Sequence, residues 1–235
     1  MVAQGISQLW SDIMELFYPR VCSGCSKPLV HGEEIICIEC LYQLPRTHFH
    51  QKRDNPVEQI FWGRIPIKYA TAFCFYRKES TLQKLILQLK YHGEKEIGEV
   101  LGHELGYELK YSVFEEIDVV IPIPLHPKRL KKRGYNQAEC IAKALSEVLQ
   151  KPLDTTSVRR KTATETQTKK TRYERWLNVE NIFEIVSPES IEGKHILIVD
   201  DIVTTGSTIE SLVQELLTLP NVTCSLAAIG VADNR

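Results

Sequence analysis

The sequence predicts an α/β protein in which helices flank a mostly parallel sheet, with a small cysteine-rich segment ahead of it. From residue 80 onward, segments with apolar residues at helical spacing alternate with short apolar runs typical of buried strands. The run at residues 195–200 leads almost directly into one of these helices, and four of the seven cysteines lie within residues 22–40. Strands that alternate with helices in this way form parallel sheets.

Length and composition fit one globular domain with room for a small appendage. The chain has 235 residues, of which 43% are hydrophobic and 25% charged, and its net charge is −1. A net charge this close to zero creates no overall field that attracts nucleic acid or a membrane. Any anion site must therefore come from a local cluster of basic residues. No apolar run approaches a membrane span and no secretory signal is evident. We therefore expect a cytoplasmic protein, which reaches the inner face of the membrane only through partners.

The N-terminal segment begins with a predicted helix and continues into a predicted metal site. Apolar residues recur at helical spacing over residues 6–17 until Pro19, and acidic residues on the polar face favour packing against protein rather than membrane. The spacing C-x2-C-x11-C-x2-C that follows presents four thiolates to one point, which predicts a structural zinc ribbon. Two disulfides are the alternative and need an oxidising compartment. The predicted ligands are Cys22, Cys25, Cys37 and Cys40.

A polar stretch predicts a linker near residues 45–60, which divides the chain into a zinc segment over 1–50 and a main domain over 60–235. A strand follows within 67–77. Helices are predicted from residue 80 to Gly93 and from 97 to 109, then a strand at 117–125, a basic loop and a helix over 138–148. Strands at 153–160, 181–186 and 195–200, a helix at 209–217 and a strand at 222–232 complete the order.

The stretch HILIVDDIVTTGSTIESLVQEL, residues 195–216, predicts a ligand site at the carboxyl end of a strand. Backbone amides at a helix N-terminus favour a phosphate, and Gly206 permits its close approach. The two preceding acids suit the hydroxyls of a sugar, directly or with magnesium, so the pattern indicates a ribose 5-phosphate. A magnesium-binding receiver domain and a capped helix without ligand are the alternatives. The residues of this site are Asp200, Asp201, Thr204, Thr205, Gly206, Ser207 and Thr208.

Two basic segments are candidates for the anionic remainder of such a ligand. Five of the six residues at 128–133 are basic, and Gly134 follows at a predicted helix start. Residues 159–172 form a long, threonine-rich segment between two strands, a composition that suits a loop closing over a site. Solvated loops, disorder and a nucleic-acid surface are alternatives that the charge pattern leaves open.

The same motifs resemble those of a known family. ILIVDDIVTTGST is similar to the phosphoribosyl diphosphate (PRPP) loop of type I phosphoribosyltransferases. The four-cysteine segment, LKYHGEKEIGEVLG, RGYNQ and the threonine-rich segment resemble the ComF family, associated with DNA uptake in natural competence. The resemblance implies that the acids hold the ribose hydroxyls of magnesium-bound PRPP and that residues 204–208 bind its 5-phosphate. The candidates for the diphosphate side and the closing loop are Arg133, Arg159 and Arg172.

Two other functional classes stay open beside a phosphoribosyltransferase with an unknown acceptor. One is a regulator that binds PRPP or a nucleotide without turnover, since this fold serves regulators as well as enzymes. The other is an adaptor in DNA uptake, whose zinc segment and basic loops contact a competence helicase, a recombination mediator or single-stranded DNA. Only Tyr135, Tyr173 and Trp176 accompany the basic loops as stacking aromatics.

Overall fold

The computed structural model describes residues 19–161 and 182–233. The predicted helix over 6–17, most of the predicted closing loop and Arg172 therefore lie outside the described residues. The described helices are α1 (Ile38–Tyr42), α2 (Pro56–Gln59), α3 (Thr81–Tyr91), α4 (Lys95–Leu109), α5 (Pro127–Arg133), α6 (Gln137–Leu149) and α7 (Ser207–Leu216). The strands are β1 (Ala70–Tyr76), β2 (Val119–Pro122), β3 (Val158–Arg160), β4 (Phe183–Ile185), β5 (His195–Val203) and β6 (Thr223–Ala232). Short 3-10 turns lie at Phe49–Gln51, Val113–Glu116 and Pro188–Ser190.

The main sheet has four parallel strands in the order β1-β6-β5-β2. Successive side chains of β5 enter opposite cores, so that Leu197 and Val199 pack on one face while Ile196 and Ile198 pack on the other. A strand buried on both faces explains the continuous apolar run in its sequence. Of the strand predicted at 153–160, only Leu153 pairs with the main sheet, through a parallel bridge to Val120 on β2. Its later residues form β3, which pairs with β4 in a separate antiparallel sheet.

Helices α3, α4 and α6 contribute to one core, and α7 covers the opposite face of the sheet. Ser80 caps α3 by accepting a hydrogen bond from the backbone N–H of Gln83, 3.1 Å away. Helix α4 approaches α6 closely because glycine recurs every fourth residue on the contact face. A β-carbon at Gly102 would collide with the carbonyl oxygen of Ile141, and one at Gly106 would lie 2.8 Å from Val148 Cβ.

The cysteine segment (residues 19–44) and the following residues pack on the main domain. Cys22, Ile36 and Leu44 belong to the same buried cluster as Leu82 on α3. The predicted linker near residues 45–60 is wrong, because it contains buried side chains such as that of Asn55, which donates to the carbonyl of Ala70 at 2.9 Å. The division into residues 1–50 and 60–235 stays a prediction.

The segment predicted as a basic loop forms helix α5 instead. Pro127 stands in its first turn, where a missing N–H is harmless, and the ring of His126 accepts a hydrogen bond from the N–H of Lys128 at 3.2 Å. Gly134 was predicted at a helix start but ends α5 with a φ of +83°. Across residues 19–161 and 182–233, every helix is too short or too polar to traverse a bilayer.

Candidate functional site

The two adjacent acids lie at the carboxyl end of β5, next to the turn into α7. Asp201 is 5% exposed, and Asp200 remains partly accessible. A carboxylate oxygen of Asp200 accepts a hydrogen bond from the backbone N–H of Asp201 at 2.8 Å. Burial of the carboxyl group and the neighbouring Asp201 charge raise the pKa of Asp200 to about 8. The pair therefore favours a cation or a hydrogen-bond donor beside it.

The turn after β5, residues 204–208, has a backbone conformation suited to binding an anion, and we call it the cradle turn. Gly206 stands at the N-cap of α7 with a φ of +75°, in the left-handed region that glycine adopts freely. A β-carbon there would lie 2.6 Å from the Phe61 ring. The guanidinium of Arg64 donates to the carbonyl of Thr205 at 2.8 Å and forms an ion pair with Glu210 on α7. Residues 60–64 thus pack against one side of this turn and fix its conformation. The side chains of Thr204, Thr205 and Ser207 are exposed to solvent.

A cavity of about 140 Å³, here called the acid cavity, joins these acids to three basic side chains. Lys90 lies within 3.0 Å of an oxygen of Asp201, although the two do not form an aligned hydrogen bond. Burial lowers the pKa of the Arg160 guanidinium, and Arg129 nearby acts in the same direction. The residues of the acid cavity used below are Lys90, Arg129, Arg160, Asp200, Asp201 and Thr208.

Of the three arginines singled out from the sequence, none lines the acid cavity among the described residues. Successive side chains of β3 point to opposite faces, so Arg160 reaches the acid cavity while Arg159 points away from it. Arg159 is exposed and forms an ion pair with Glu184 at 3.0 Å. Arg133 lines a separate neighbouring cavity. Arg172 lies outside the described residues. Arg160, Arg129 and Lys90 line the acid cavity but were not among the candidates chosen from the sequence. The basic character of their segments pointed to the two arginines, and the signal for Lys90 was its place in the family-like stretch LKYHGEKEIGEVLG.

The RGYNQ motif joins three elements around the acid cavity. The Tyr135 hydroxyl donates to the carbonyl of Leu89, which fixes the end of α3. Asn136 caps α6 by accepting from the N–H of Ala138 at 3.2 Å, and its amide donates to the carbonyl of Ile123 at 3.0 Å. These bonds fix α3 and the residues after β2 relative to α6, which explains why the motif has a tyrosine and an asparagine at these places.

The four clustered cysteines form the second site. Their sulfur atoms lie within 4.8 Å of one another, and Cys25 Sγ lies 3.7 Å from Cys37 Sγ. A tetrahedral site with metal–sulfur distances of about 2.3 Å requires sulfur–sulfur edges of about 3.8 Å, so the cluster fits a metal ion. Burial opposes ionisation of Cys22, but donated backbone N–H groups lower the pKa of this thiol to about 7. Two of these donors are Gly24 and Cys37, each at 3.3 Å from the sulfur.

Comparison with known proteins agrees with this geometry. A family model described as phosphoribosyl transferase domain matches residues 129–225, which run from within α5 to the start of β6 and include both acids and the cradle turn. With four parallel strands flanked by helices, this match defines the class: the protein has a type I phosphoribosyltransferase fold, preceded by a four-cysteine cluster compatible with a zinc site.

Relatives along almost the whole chain define the family. DNA utilization protein YhgH of Escherichia coli (strain K12) is 31% identical over 221 residues, which are 92% of each chain. Competence protein F of Haemophilus influenzae is 35% identical over 194 residues, 82% of each chain. The protein therefore belongs to the ComF family. Among solved structures, glutamine PRPP amidotransferase from B. subtilis is 18% identical with a TM-score of 0.42, over 60% of this chain and 30% of that one.

Proposed function

We propose that the protein binds magnesium-bound PRPP between the cradle turn and the acid cavity. One arrangement carries this proposal. The acids at the end of β5 separate a phosphate-sized turn, Thr204 to Thr208, from a cavity that contains Arg129 and Arg160. PRPP has a phosphate at one end, a diol in the middle and a diphosphate at the other end, which matches the spatial order of these groups in the site.

Each group has a proposed role on this reading. The amides and hydroxyls of residues 204–208 bind the 5-phosphate at the positive end of the α7 dipole. Asp200 and Asp201 accept hydrogen bonds from the ribose hydroxyls, and Arg160 and Arg129 bind the diphosphate. The two carboxylates offer the hard oxygen ligands that magnesium prefers. When bound, magnesium neutralises part of the diphosphate charge and so favours its departure.

If an acceptor takes the ribosyl group, the residues present suffice for a displacement at the anomeric carbon. Positive charge develops on the ribose ring and negative charge on the leaving diphosphate. The acids stabilise the first and the arginines the second by electrostatics, so that no covalent nucleophile is needed. The acceptor is unidentified, and a regulator that binds PRPP without turnover uses the same contacts.

The four-cysteine cluster is proposed to hold structural zinc. Thiolates select zinc among common divalent ions, and four protein ligands leave no open position for water. Three of the four cysteines are buried and Cys25 is half-buried, which suits a closed structural site. The relatives' names, DNA utilization and competence protein, support a further proposal that the protein takes part in DNA uptake.

Calorimetric titration with PRPP and magnesium tests the central proposal. Asp200→Asn and Asp201→Asn remove the carboxylate acceptors of the diol without changing side-chain size, and titration above pH 8 keeps Asp200 ionised. Loss of a charged hydrogen bond costs about 1.5–3 kcal/mol, so we expect at least a tenfold weaker affinity in each variant. Asp54→Asn, at an exposed aspartate that does not line the acid cavity, is a matched control. Full affinity in the double variant Asp200→Asn with Asp201→Asn contradicts the assignment, and release of diphosphate with candidate acceptors separates enzyme from regulator.

Single-stranded DNA is a second candidate ligand, favoured by α5. Its exposed lysines Lys128, Lys131 and Lys132 have no carboxylate partner among the described residues. Binding by these groups predicts an affinity that falls with salt with a slope of about −0.7 per phosphate neutralised. Fluorescence anisotropy with a labelled oligonucleotide, repeated with PRPP and magnesium, measures both the slope and any competition. No binding at low salt limits α5 to smaller ligands or protein partners.

A further inference from the structure

A second cavity adjoins the acid cavity and is larger. Its volume is about 360 Å³, against about 140 Å³ for the acid cavity. It lies between the end of α3 and helix α5, and we call it the basic cavity. Lys90 and Arg129 line both cavities. The two acids, Asp200 and Asp201, and residues 204–208 do not line the basic cavity. Its described lining residues are Lys90, Tyr91, Gly93, Arg129, Lys132 and Arg133.

Among the described residues, the positive charge of the basic cavity is compensated only in part. Four of its six described lining residues are cationic and none is acidic. Lys90 has its counter-ion, Asp201, in the neighbouring acid cavity. Within the described ranges, Arg129 and Lys132 have no ion pair, and Arg133 donates to the neutral side-chain amide of Gln137. A cavity with this lining repels cations and gains from an anion that brings two or more oxygens to it.

The wall of the basic cavity also offers an aromatic surface. The Tyr91 side chain is 69% exposed although it ends a helix whose other face is buried in the core. The guanidinium of Arg133 lies 5.6 Å from the centre of the Tyr91 ring. An exposed aromatic ring beside cations is the combination on which nucleobases stack while their phosphates are neutralised. The volume lies in the range of small-molecule sites.

We propose that the basic cavity binds a nucleoside monophosphate, with the phosphate near Lys132 and Arg133 and the base against Tyr91. This site is separate from the proposed PRPP site, since Lys132, Tyr91 and Arg133 do not line the acid cavity. Because Lys90 and Arg129 line both cavities, we expect each ligand to change the affinity for the other through these two residues. The nucleotide is either the acceptor in a phosphoribosyl transfer or an effector, and the experiment below tests the site in both cases.

Calorimetry with adenosine 5′-monophosphate, first without PRPP or magnesium, tests the proposal on the full chain. Lys132→Ala removes a charge from the basic cavity, and Lys131→Ala removes the same charge from the same helix outside both cavities. We expect about tenfold weaker binding in Lys132→Ala, as loss of one charge-assisted contact implies, and less than twofold change in Lys131→Ala. Tyr91→Leu should weaken the nucleotide but leave the affinity for inorganic phosphate unchanged. PRPP affinity should stay within twofold in Lys132→Ala and Tyr91→Leu.

Several results overturn the proposal. Equal effects of Lys131→Ala and Lys132→Ala mean that charge alone attracts the nucleotide. No binding of the nucleotide at millimolar concentration, or binding only of an oligonucleotide that the nucleotide does not displace, removes the mononucleotide site. Complete displacement by PRPP together with loss of binding in Asp201→Asn places the nucleotide in the acid cavity instead. A protein that binds the nucleotide but not PRPP contradicts the proposed function and leaves this inference standing.

Discussion

Lys90 and Asp201 form an ion pair of 3.0 Å between the end of α3 and the end of β5. Both side chains are largely buried, with exposed fractions of 24% and 7%. The lysine therefore neutralises an acid that is proposed to bind ribose, and it lines both cavities beside the site. Its helix is fixed from two sides, by the Tyr135 hydroxyl on Leu89 and by Ser23 of the cysteine segment, which donates to Glu94 at 2.6 Å just beyond the helix.

The ion pair predicts that Lys90→Met lowers stability as well as PRPP affinity. The variant leaves a buried carboxylate without its partner, and we expect the free energy of unfolding to fall by about 1–3 kcal/mol. Adding Asp201→Asn should restore most of that loss, since the unpaired charge is then absent. Denaturant unfolding of the single and double variants gives the coupling energy. Additive effects of the two substitutions contradict a functional pair.

Arg160, rather than Arg159, is predicted to bind the diphosphate. Arg160→Met should weaken PRPP at least tenfold, because it removes a guanidinium from the acid cavity. Arg159→Met, its matched control, breaks only an exposed ion pair with Glu184, of the kind that contributes about 0–1 kcal/mol. Calorimetry with PRPP and magnesium compares them. The reverse order of effects restores the sequence-based choice of Arg159.

Sequence patterns predicted the order of the strands and of the long helices α3, α4, α6 and α7, the clustering of four cysteines and the place of two acids at the end of β5, because these signals are local. Apolar spacing marks β5 and α7, and C-x2-C spacing brings sulfur atoms together. They did not predict which basic residues line the acid cavity. That depends on a one-residue alternation on β3 and on α5 being a helix rather than a loop. The predicted linker failed for a related reason, since buried polar residues such as Asn55 look like loop residues in the sequence.

Metal analysis tests the cysteine cluster. We expect about one zinc per chain, lost in the double variant Cys22→Ser with Cys37→Ser, since these thiolates are two of the four ligands. Because Ile36 and Leu44 share a buried cluster with Leu82 on α3, loss of metal should lower the melting temperature of the main domain as well. Cys224→Ser is a control that changes a buried cysteine outside the cluster. Disulfides in protein kept under reducing conditions, or unchanged metal content in the double variant, contradict the site.

The buried His195 predicts a loss of stability in mild acid. Burial is the largest cause of its lowered pKa, and one ring nitrogen lies 2.8 Å from the Ser225 hydroxyl. The unfolded chain therefore takes up a proton near pH 6.5, before the folded protein does, and unfolding becomes easier as pH falls below that value. The contribution of His195 to stability is complete above pH 6.5 and is lost as the pH falls to the lower pKa of the folded state. Asp200, whose pKa is raised to about 8, acts in the opposite direction over this range.

Replacement of this histidine isolates its contribution. His195→Gln cannot gain a proton, so the free energy of unfolding should depend less on pH between about 6.5 and 5 than in the native protein. Part of the dependence should persist, because burial also lowers the pKa of His50. The exposed residue His31 provides the control variant, His31→Gln, which removes a histidine that is not buried. Urea unfolding at half-unit pH steps measures all three, and an unchanged slope in His195→Gln shows that His195 does not cause the acid sensitivity.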